Sequence, residues 1–244
     1  MDRVAVVTGG ASGIGVSICE HLARAGHRVA VLDRNGVGAK QVAASLGGEA
    51  RGLQVDVSDR AAVRAAFREV RQHLGSIQVL VTSAAISGFT PFEQIEVEEF
   101  ERYVRVNLTG TFHCLQAALP DMVEAGWGRI VTISSAAGQA GALQQGHYAA
   151  TKGGVIAMTK TVALEYASKG VTANTIPPFS IDTPLLRSAQ ASGAVPPDKY
   201  LERAIPAGRV GTGDDIAAAC AFLCSDAAGY ITGQVIAVNG GALT

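Results

Sequence analysis

Thr8-Gly9-Gly10-Ala11-Ser12-Gly13-Ile14-Gly15 marks a change of rhythm in this chain. Before it stands Val4-Ala5-Val6-Val7, an unbroken apolar run that predicts a buried strand over residues 3–8. After it come Ile14, Ile18 and Leu22, whose spacing predicts a helix over residues 13–25. Glycines at such a strand-to-helix turn permit a tight bend, let the backbone approach a pyrophosphate, and let the helix pack on the sheet. The helix start adds free N–H groups and the positive end of its dipole. Gly9, Ser12, Gly13, Ile14 and Gly15 are therefore candidate contacts for a dinucleotide. The spacing is G-x-x-x-G-x-G rather than G-x-G-x-x-G.

The same alternation continues outward from this turn. Short apolar runs predict further strands over residues 28–32, 53–57, 77–81, 129–133, 171–176 and 235–238. Helical spacing predicts helices over residues 36–46, 59–74, 97–124, 147–168 and 214–223, the third of them long and bent. Strands apolar on both faces, alternating with helices, mean a parallel sheet covered on both sides. The expected fold class is α/β, a doubly wound sheet of seven parallel strands in one domain over residues 1–244. One segment breaks the rhythm. Residues 179–211 hold Pro184, Pro196, Pro197 and Pro206, with weak helical signal at 200–204, and predict an irregular lid or binding loop.

Composition narrows the chemistry. Hydrophobic residues make up 48% but aromatics only 5%, so the core must come from Ala, Val, Ile and Leu. Twenty basic against 21 acidic residues argue against a general nucleic-acid binder, which needs a basic face. No apolar run approaches the roughly 18 residues that span a bilayer. The run Val4–Val7 is too short for a signal-peptide core, so a cytoplasmic location is expected. Cys19, Cys114, Cys220 and Cys224 are few and scattered, as reduced thiols are. Cys220 and Cys224 lie four apart with no second Cys or His pair nearby. They read as small buried hydrophobes, and no metal site is expected.

Two acidic positions follow predicted strands. Asp33 can accept hydrogen bonds from both hydroxyls of an adenosine ribose, and its charge would repel a 2′-phosphate, favouring NAD over NADP. Arg34 is the counter-evidence, since it could turn onto such a phosphate. Asp56, followed by Val57, can reach an adenine amino group. Further along, Tyr148 and Lys152 stand four apart on one helix face. A free Tyr has a pKa of about 10, and an adjacent ammonium favours the phenolate. Such a pair beside a nicotinamide can exchange a proton with an alcohol or ketone oxygen. Ser135 could donate a hydrogen bond to the same oxygen. Asn107, polar in an apolar helix, fits either a kink with a buried hydrogen bond or a water held against Lys152.

Thr8-Gly-Gly-x-x-Gly-Ile-Gly15, Asp56-Val57, Asn107, Ser135, Tyr148-x-x-x-Lys152, Asn174…Pro178, Asp182-Thr183-Pro184 and Val238-Asn239-Gly240-Gly241 together resemble the short-chain dehydrogenase/reductase family. The resemblance covers essentially the whole chain, in order. It implies a Rossmann-type sheet and hydride transfer between a nicotinamide and a carbinol carbon. It implies Tyr148 as general acid/base, Lys152 as its partner and ribose contact, Ser135 as substrate-oxygen donor, and Asn107 as proton-relay anchor. Ser83, Ala84, Ala85 and Pro178 join the implied cofactor contacts, with Thr183 and the Ile181 backbone at the carboxamide. The family commonly forms tetramers through its two long helices, so a homotetramer is expected.

Two departures from the family pattern stand out. Thr82-Ser83-Ala84-Ala85 replaces Asn-Asn-Ala-Gly, so Thr82 stands where an Asn ties neighbouring strands and Ala85 where a Gly admits the cofactor. Pro177-Pro178-Phe179 ends in Phe where the family has Gly, so Phe179 must either keep φ below zero and face the substrate or push the loop away. The expected substrate walls are Ser87, Phe89, Gln139, Gln145, Phe179, Leu185 and Leu186, mostly apolar. Arg187 is the one basic residue near them, read as a solvated loop Arg. These walls point to a hydrophobic secondary alcohol or ketone. A 3-oxoacyl thioester is the rival substrate, although reductases of that kind generally prefer NADP. A non-catalytic dinucleotide sensor would predict a broken Asn107, Ser135, Tyr148 and Lys152 set, and all four are present.

Overall fold

The computed structural model describes residues 2–244. Six strands form one sheet: β1 (Val4–Thr8), β2 (Arg28–Asp33), β3 (Arg51–Gln54), β4 (Ile77–Thr82), β5 (Gly128–Ile133) and β6 (Val171–Ile176). All pairs are parallel, in the order β3-β2-β1-β4-β5-β6. The helices are α1 (Gly13–Arg24), α2 (Gly36–Leu46), α3 (Arg60–Leu74), α4 (Val97–Tyr103), α5 (Gly110–Glu124), α6 (Ala136–Ala140), α7 (Gly146–Tyr166), α8 (Pro184–Ala191), α9 (Asp198–Ala204) and α10 (Gly213–Leu223).

The apolar runs explain the layering. Alternate residues of each strand face opposite sides of a sheet. Val6, Leu32, Leu80 and Ile130 pack with Phe67 of α3, Leu115 of α5 and Val162 of α7. Their neighbours Val7, Val31, Val81 and Val131 pack with Ile18 of α1, Ala39 of α2 and Ile216 of α10. Both faces are therefore dry, and only the strand ends are open to a ligand. Strand order reverses at β1, which opens a crevice at the carboxyl ends of β1 and β4.

Three expectations are corrected, and that of the long bent helix is refined. Residues 235–238 form no strand; they touch the sheet through isolated parallel bridges, Thr175 to Val235 and Pro178 to Val238. The ladder cannot extend from β6 because Pro177 and Pro178 lack N–H donors. The Asn174 side chain substitutes for part of it, donating to the Ile231 carbonyl and accepting from the Gln234 N–H. The third strand ends at Gln54, with Val55 continuing only through one bond to the Asp33 carbonyl. The long helix of residues 97–124 is α4 and α5 joined by a π-helical turn, Val104–Thr109. The lid is not irregular. It contains α8 and α9, because its prolines sit at helix starts, Pro184 in the first turn of α8 and Pro197 capping α9.

One buried carboxylate ties three of these elements together. Asp121 of α5 accepts from Arg71 Nε of α3 at 2.9 and 2.8 Å, and from the Ile77 N–H at the start of β4 at 2.8 Å. Asp121→Ala leaves the Arg71 guanidinium with only the Ala117 carbonyl and removes the acceptor of the buried Ile77 N–H. It should lower the unfolding free energy by about 3 kcal/mol in urea titration. A loss below about 0.5 kcal/mol, the scale of ordinary surface changes, would count against this role.

Candidate active site

The carboxyl ends of the strands enclose a cleft of about 900 Å³. Its floor is the glycine turn. Gly9 has φ +69°, and a Cβ there would stand 2.6 Å from the Ala84 nitrogen. Gly13 has φ +51°, with Thr183 Cγ2 3.1 Å from the same imagined atom. A Cβ on Gly15 would collide with the Gly9 carbonyl. Gly9, Ser12, Gly13 and Ile14 line the cleft; Gly15 lies buried behind them and serves the packing of α1 on β1. Ser12 caps α1 without a side-chain hydrogen bond, so the helix start keeps free donors beside the cleft. Such a cradle of backbone, free N–H groups and helix dipole fits an anionic dinucleotide bridge.

Asp33 and Arg34 line the cleft beside this turn. The Asp33 carboxylate accepts from the Ala11 N–H at 3.1 Å and the Asn35 N–H at 2.8 Å, which holds it against the glycine loop. Arg34 is exposed and makes no ion pair among the described residues. Asp56 accepts from the Ser58 hydroxyl at 2.7 Å and the Ser58 N–H at 2.9 Å. Those bonds, the hydroxyl's first, hold its carboxyl below the usual range. Val57, Ser83, Ala84 and Ala85 complete this stretch of wall. Thr82 does not replace a strand-tying side chain, because its buried hydroxyl has no partner. The tie comes from Thr8, whose carbonyl accepts from the Ser83 N–H and whose hydroxyl accepts from the Ala84 N–H.

Ser135, Tyr148 and Lys152 line the same cleft. Lys152 is almost wholly buried, and its Nζ donates to the Ile133 carbonyl at 2.8 Å. Burial lowers its pKa to about 8. The close approach that places it depends on Gly138 of α6, where a Cβ would lie 2.7 Å from the Lys152 carbonyl carbon. Ser135 caps α6, accepting from the Ala137 N–H at 3.1 Å. The expectation for Tyr148 needs correction. Burial pushes its phenol up, and the opposing hydrogen bond comes from Ser135 rather than from Lys152. The Lys152 Nζ stands 5.7 Å from the Tyr148 ring centre.

Asn107 does not line the cleft. It lies buried in the π-helical turn, accepting from the Ile86 N–H at 2.8 Å and donating to the Ile86 carbonyl and the Thr151 hydroxyl. It thus ties the loop after β4 to the turn of α7 that carries Lys152. The buried-hydrogen-bond reading of Asn107 is the one its geometry supports.

Pro178, Ile181 and Thr183 line the cleft beneath the lid. Thr183 caps α8, accepting from the Leu186 N–H. Ser87, Phe89, Gln145, Phe179, Leu185 and Leu186 line the same cleft at its Tyr148 end. Among the described non-glycine residues only Gln144 has positive φ, so Phe179 faces the cleft without backbone strain. Gln139 does not belong here. It is exposed, because the short α6 turns Ala136, Ala137 and Ala140 to the cleft instead. Arg187 pairs with Asp182 and Asp198 across the lid. Sequence reading missed Val195, Leu201, Ala242 and Leu243. The last two arrive by a fold-back in which the Asn239 side chain donates to the Leu243 carbonyl at 2.7 Å. Among the described residues no cluster of His, Cys, Asp and Glu could hold a metal. All four cysteines are buried, with Cys19 and Cys114 thiols pushed up to about 12 by desolvation.

A family model described as enoyl-(acyl carrier protein) reductase matches residues 9–243. The chain belongs to the short-chain dehydrogenase/reductase family. It is 40% identical to D-threitol dehydrogenase of Mycolicibacterium smegmatis, over 98% of this chain and 92% of that one. It is 39% identical to 3-oxoacyl-(acyl-carrier-protein) reductase FabG of Aquifex aeolicus, over 98% and 96%. Among solved structures, 3-ketoacyl-(acyl-carrier-protein) reductase from Brucella melitensis complexed with NADH superposes with a TM-score of 0.93, at 32% identity over 98% of each chain. This member is therefore an oxidoreductase acting on CH–OH groups, in a family that uses a nicotinamide dinucleotide.

Lys152 supplies a stability prediction. Its folded pKa of about 8 lies below that of the unfolded chain, so its ammonium destabilises the fold below about pH 8. That cost is relieved as pH rises from about 8 toward 10.4. Lys152→Met should therefore gain more stability relative to the parent at about pH 7 than at about pH 9.5 in urea titrations. Equal gains at both pH values would refute the buried charge.

Proposed function

We propose that this protein is an NAD-dependent oxidoreductase interconverting a hydrophobic secondary alcohol and its ketone. The observation that carries this is one cleft holding Tyr148, Ser135 and Lys152 against a wall of Phe179, Leu185 and Leu186. The nicotinamide, when bound, gives or accepts the hydride. Gly9, Ser12, Gly13 and Ile14 hold the pyrophosphate, with Asp33 on the adenosine ribose, Asp56 and Val57 at the adenine, and Ile181 and Thr183 at the carboxamide. Ser135 donates its one hydroxyl proton to the substrate oxygen when substrate is bound, and to Tyr148 when it is not. Tyr148 moves the proton at that oxygen. Its raised pKa keeps the phenol protonated near neutrality, ready to protonate a forming alkoxide. In the oxidative direction it must first lose that proton, which the Lys152 ammonium favours up to its own pKa of about 8. Asn107 positions the helix turn behind them.

This assignment fixes the pH dependence. Alcohol oxidation should speed up as pH rises into the alkaline range, while ketone reduction slows. Tyr148→Phe should cost about 10²- to 10⁴-fold in both directions, read from NADH absorbance over a panel of secondary alcohols and ketones. Tight NAD binding with no turnover across a wide panel would instead favour a sensor.

Asp33 supports NAD over NADP by its charge beside the ribose position. Asp33→Ala should raise the NADP to NAD ratio of kcat/KM by at least about tenfold, a loss of roughly 1.4 kcal/mol of discrimination. An unchanged ratio refutes its role. Phe179→Gly should alter the ketone profile while dinucleotide affinity in fluorescence titration stays nearly the same; an unchanged profile refutes the wall. The second reading, a 3-oxoacyl-thioester reductase, draws support from the names of the Aquifex and Brucella relatives. We also read the protein as a cytoplasmic homotetramer. Phe112 on α5 and Leu164 on α7 support the assembly, being large apolar side chains left exposed on the two long helices. No helix among the described residues is long and apolar enough to cross a membrane.

A further inference from the structure

The substrate end of the cleft is mostly apolar, and one polar pair in it lies close to Tyr148. Gln145 is 9% exposed, lines the cleft, and occupies the N-cap of α7 without making a capping bond. Its Nε2 donates instead to the Ser87 hydroxyl oxygen at 3.1 Å and to the Gly88 carbonyl at 3.4 Å. A carbonyl can only accept, so this contact fixes the orientation of the amide. Oε1 is then turned away from Gly88 and has no hydrogen-bond partner among the described residues. The Ser87 oxygen already accepts, which leaves its own proton free to donate.

The pair thus offers one acceptor and one donor side by side, both uncharged. Tyr148 is the third residue of α7. An N-cap side chain and the side chain three residues on lie on the same side of the helix start, their Cβ atoms about 5–6 Å apart. A substrate whose reacting oxygen meets Tyr148 therefore passes Gln145 within a few bonds. Among the described residues Lys152 is the only basic side chain lining this end of the cleft, and its Nζ donates to the Ile133 carbonyl. Gln145 and Ser87 carry no charge to offer a carboxylate or phosphate, whereas a hydroxyl, both donor and acceptor, matches both partners.

We propose that Gln145 and Ser87 form a subsite for a second, uncharged oxygen of the substrate. The preferred substrates are then vicinal or 1,3-diols with an apolar remainder, or the matching hydroxyketones. This rests on the oxidoreductase reading and refines it. Unfilled by a substrate oxygen, a polar pair of this kind disfavours the analogue that lacks one.

The test compares butane-2,3-diol and butane-1,3-diol with butan-2-ol in NAD reduction by the full-length protein. At least one diol should exceed butan-2-ol in kcat/KM by about tenfold or more, the worth of one good hydrogen bond. Gln145→Leu and Ser87→Ala should each bring that ratio toward one, mainly through the KM of the diol. A merely structural Gln145 would lower all three alcohols together and leave the ratio as it was. That result, in both variants, overturns the proposal. So does a ratio near one in the parent, or turnover of butan-2-ol alone, and either leaves the oxidoreductase reading standing. No turnover across the wide alcohol panel, these three included, overturns both.

Discussion

Three backbones meet at the end of β1 with no room for side chains. Gly9 lies against Ala84, and Gly15 lies against Gly9. Everything above depends on that contact. It lets α1 start directly over the sheet, so the helix's free donors open into the crevice made by the reversal of strand order. It also draws the loop after β4 against β1, where Thr8 holds it by its carbonyl and its hydroxyl. A side chain at either glycine would push one of these partners away and close the floor of the cleft.

A second close approach sets the reacting end. Gly138 lets α6 sit against α7 at Lys152, and Asn107 ties α7 to the loop after β4. The π-helical turn that carries Asn107 accommodates one extra residue in the helix, a geometry often found at functional sites. Burial then sets the electrostatics. It lowers Lys152 and raises Tyr148, so both resting groups lean toward their uncharged forms. The Ser135 hydrogen bond is the local opposition to that trend at Tyr148.

The two departures from the family pattern have unequal consequences. Ala85 joins the cleft wall, and Thr82 loses the tying role to Thr8. Phe179 changes more, because it adds a large apolar side chain to the cleft wall. That wall meets a lid whose own geometry is held by Arg187 between Asp182 and Asp198, so the shape of the apolar side is built from segments on both sides of the crevice.

Much of this was legible in the sequence. Apolar runs alternating with helical spacing specify a parallel sheet dry on both faces, and a glycine turn between the first strand and helix specifies where an anion can approach. The Tyr148–Lys152 spacing places both on one helix face. These features are local, since period and turn chemistry act within a few residues. Only the tertiary structure decided which distant segments share the cleft. It brought Leu243 and Val195 in, turned Gln139 out, joined Gln145 to Ser87, buried Lys152 and enclosed Tyr148 enough to shift both. The seventh strand failed for the same reason. Its own apolar run was adequate, but its partner beyond β6 is two prolines without donors.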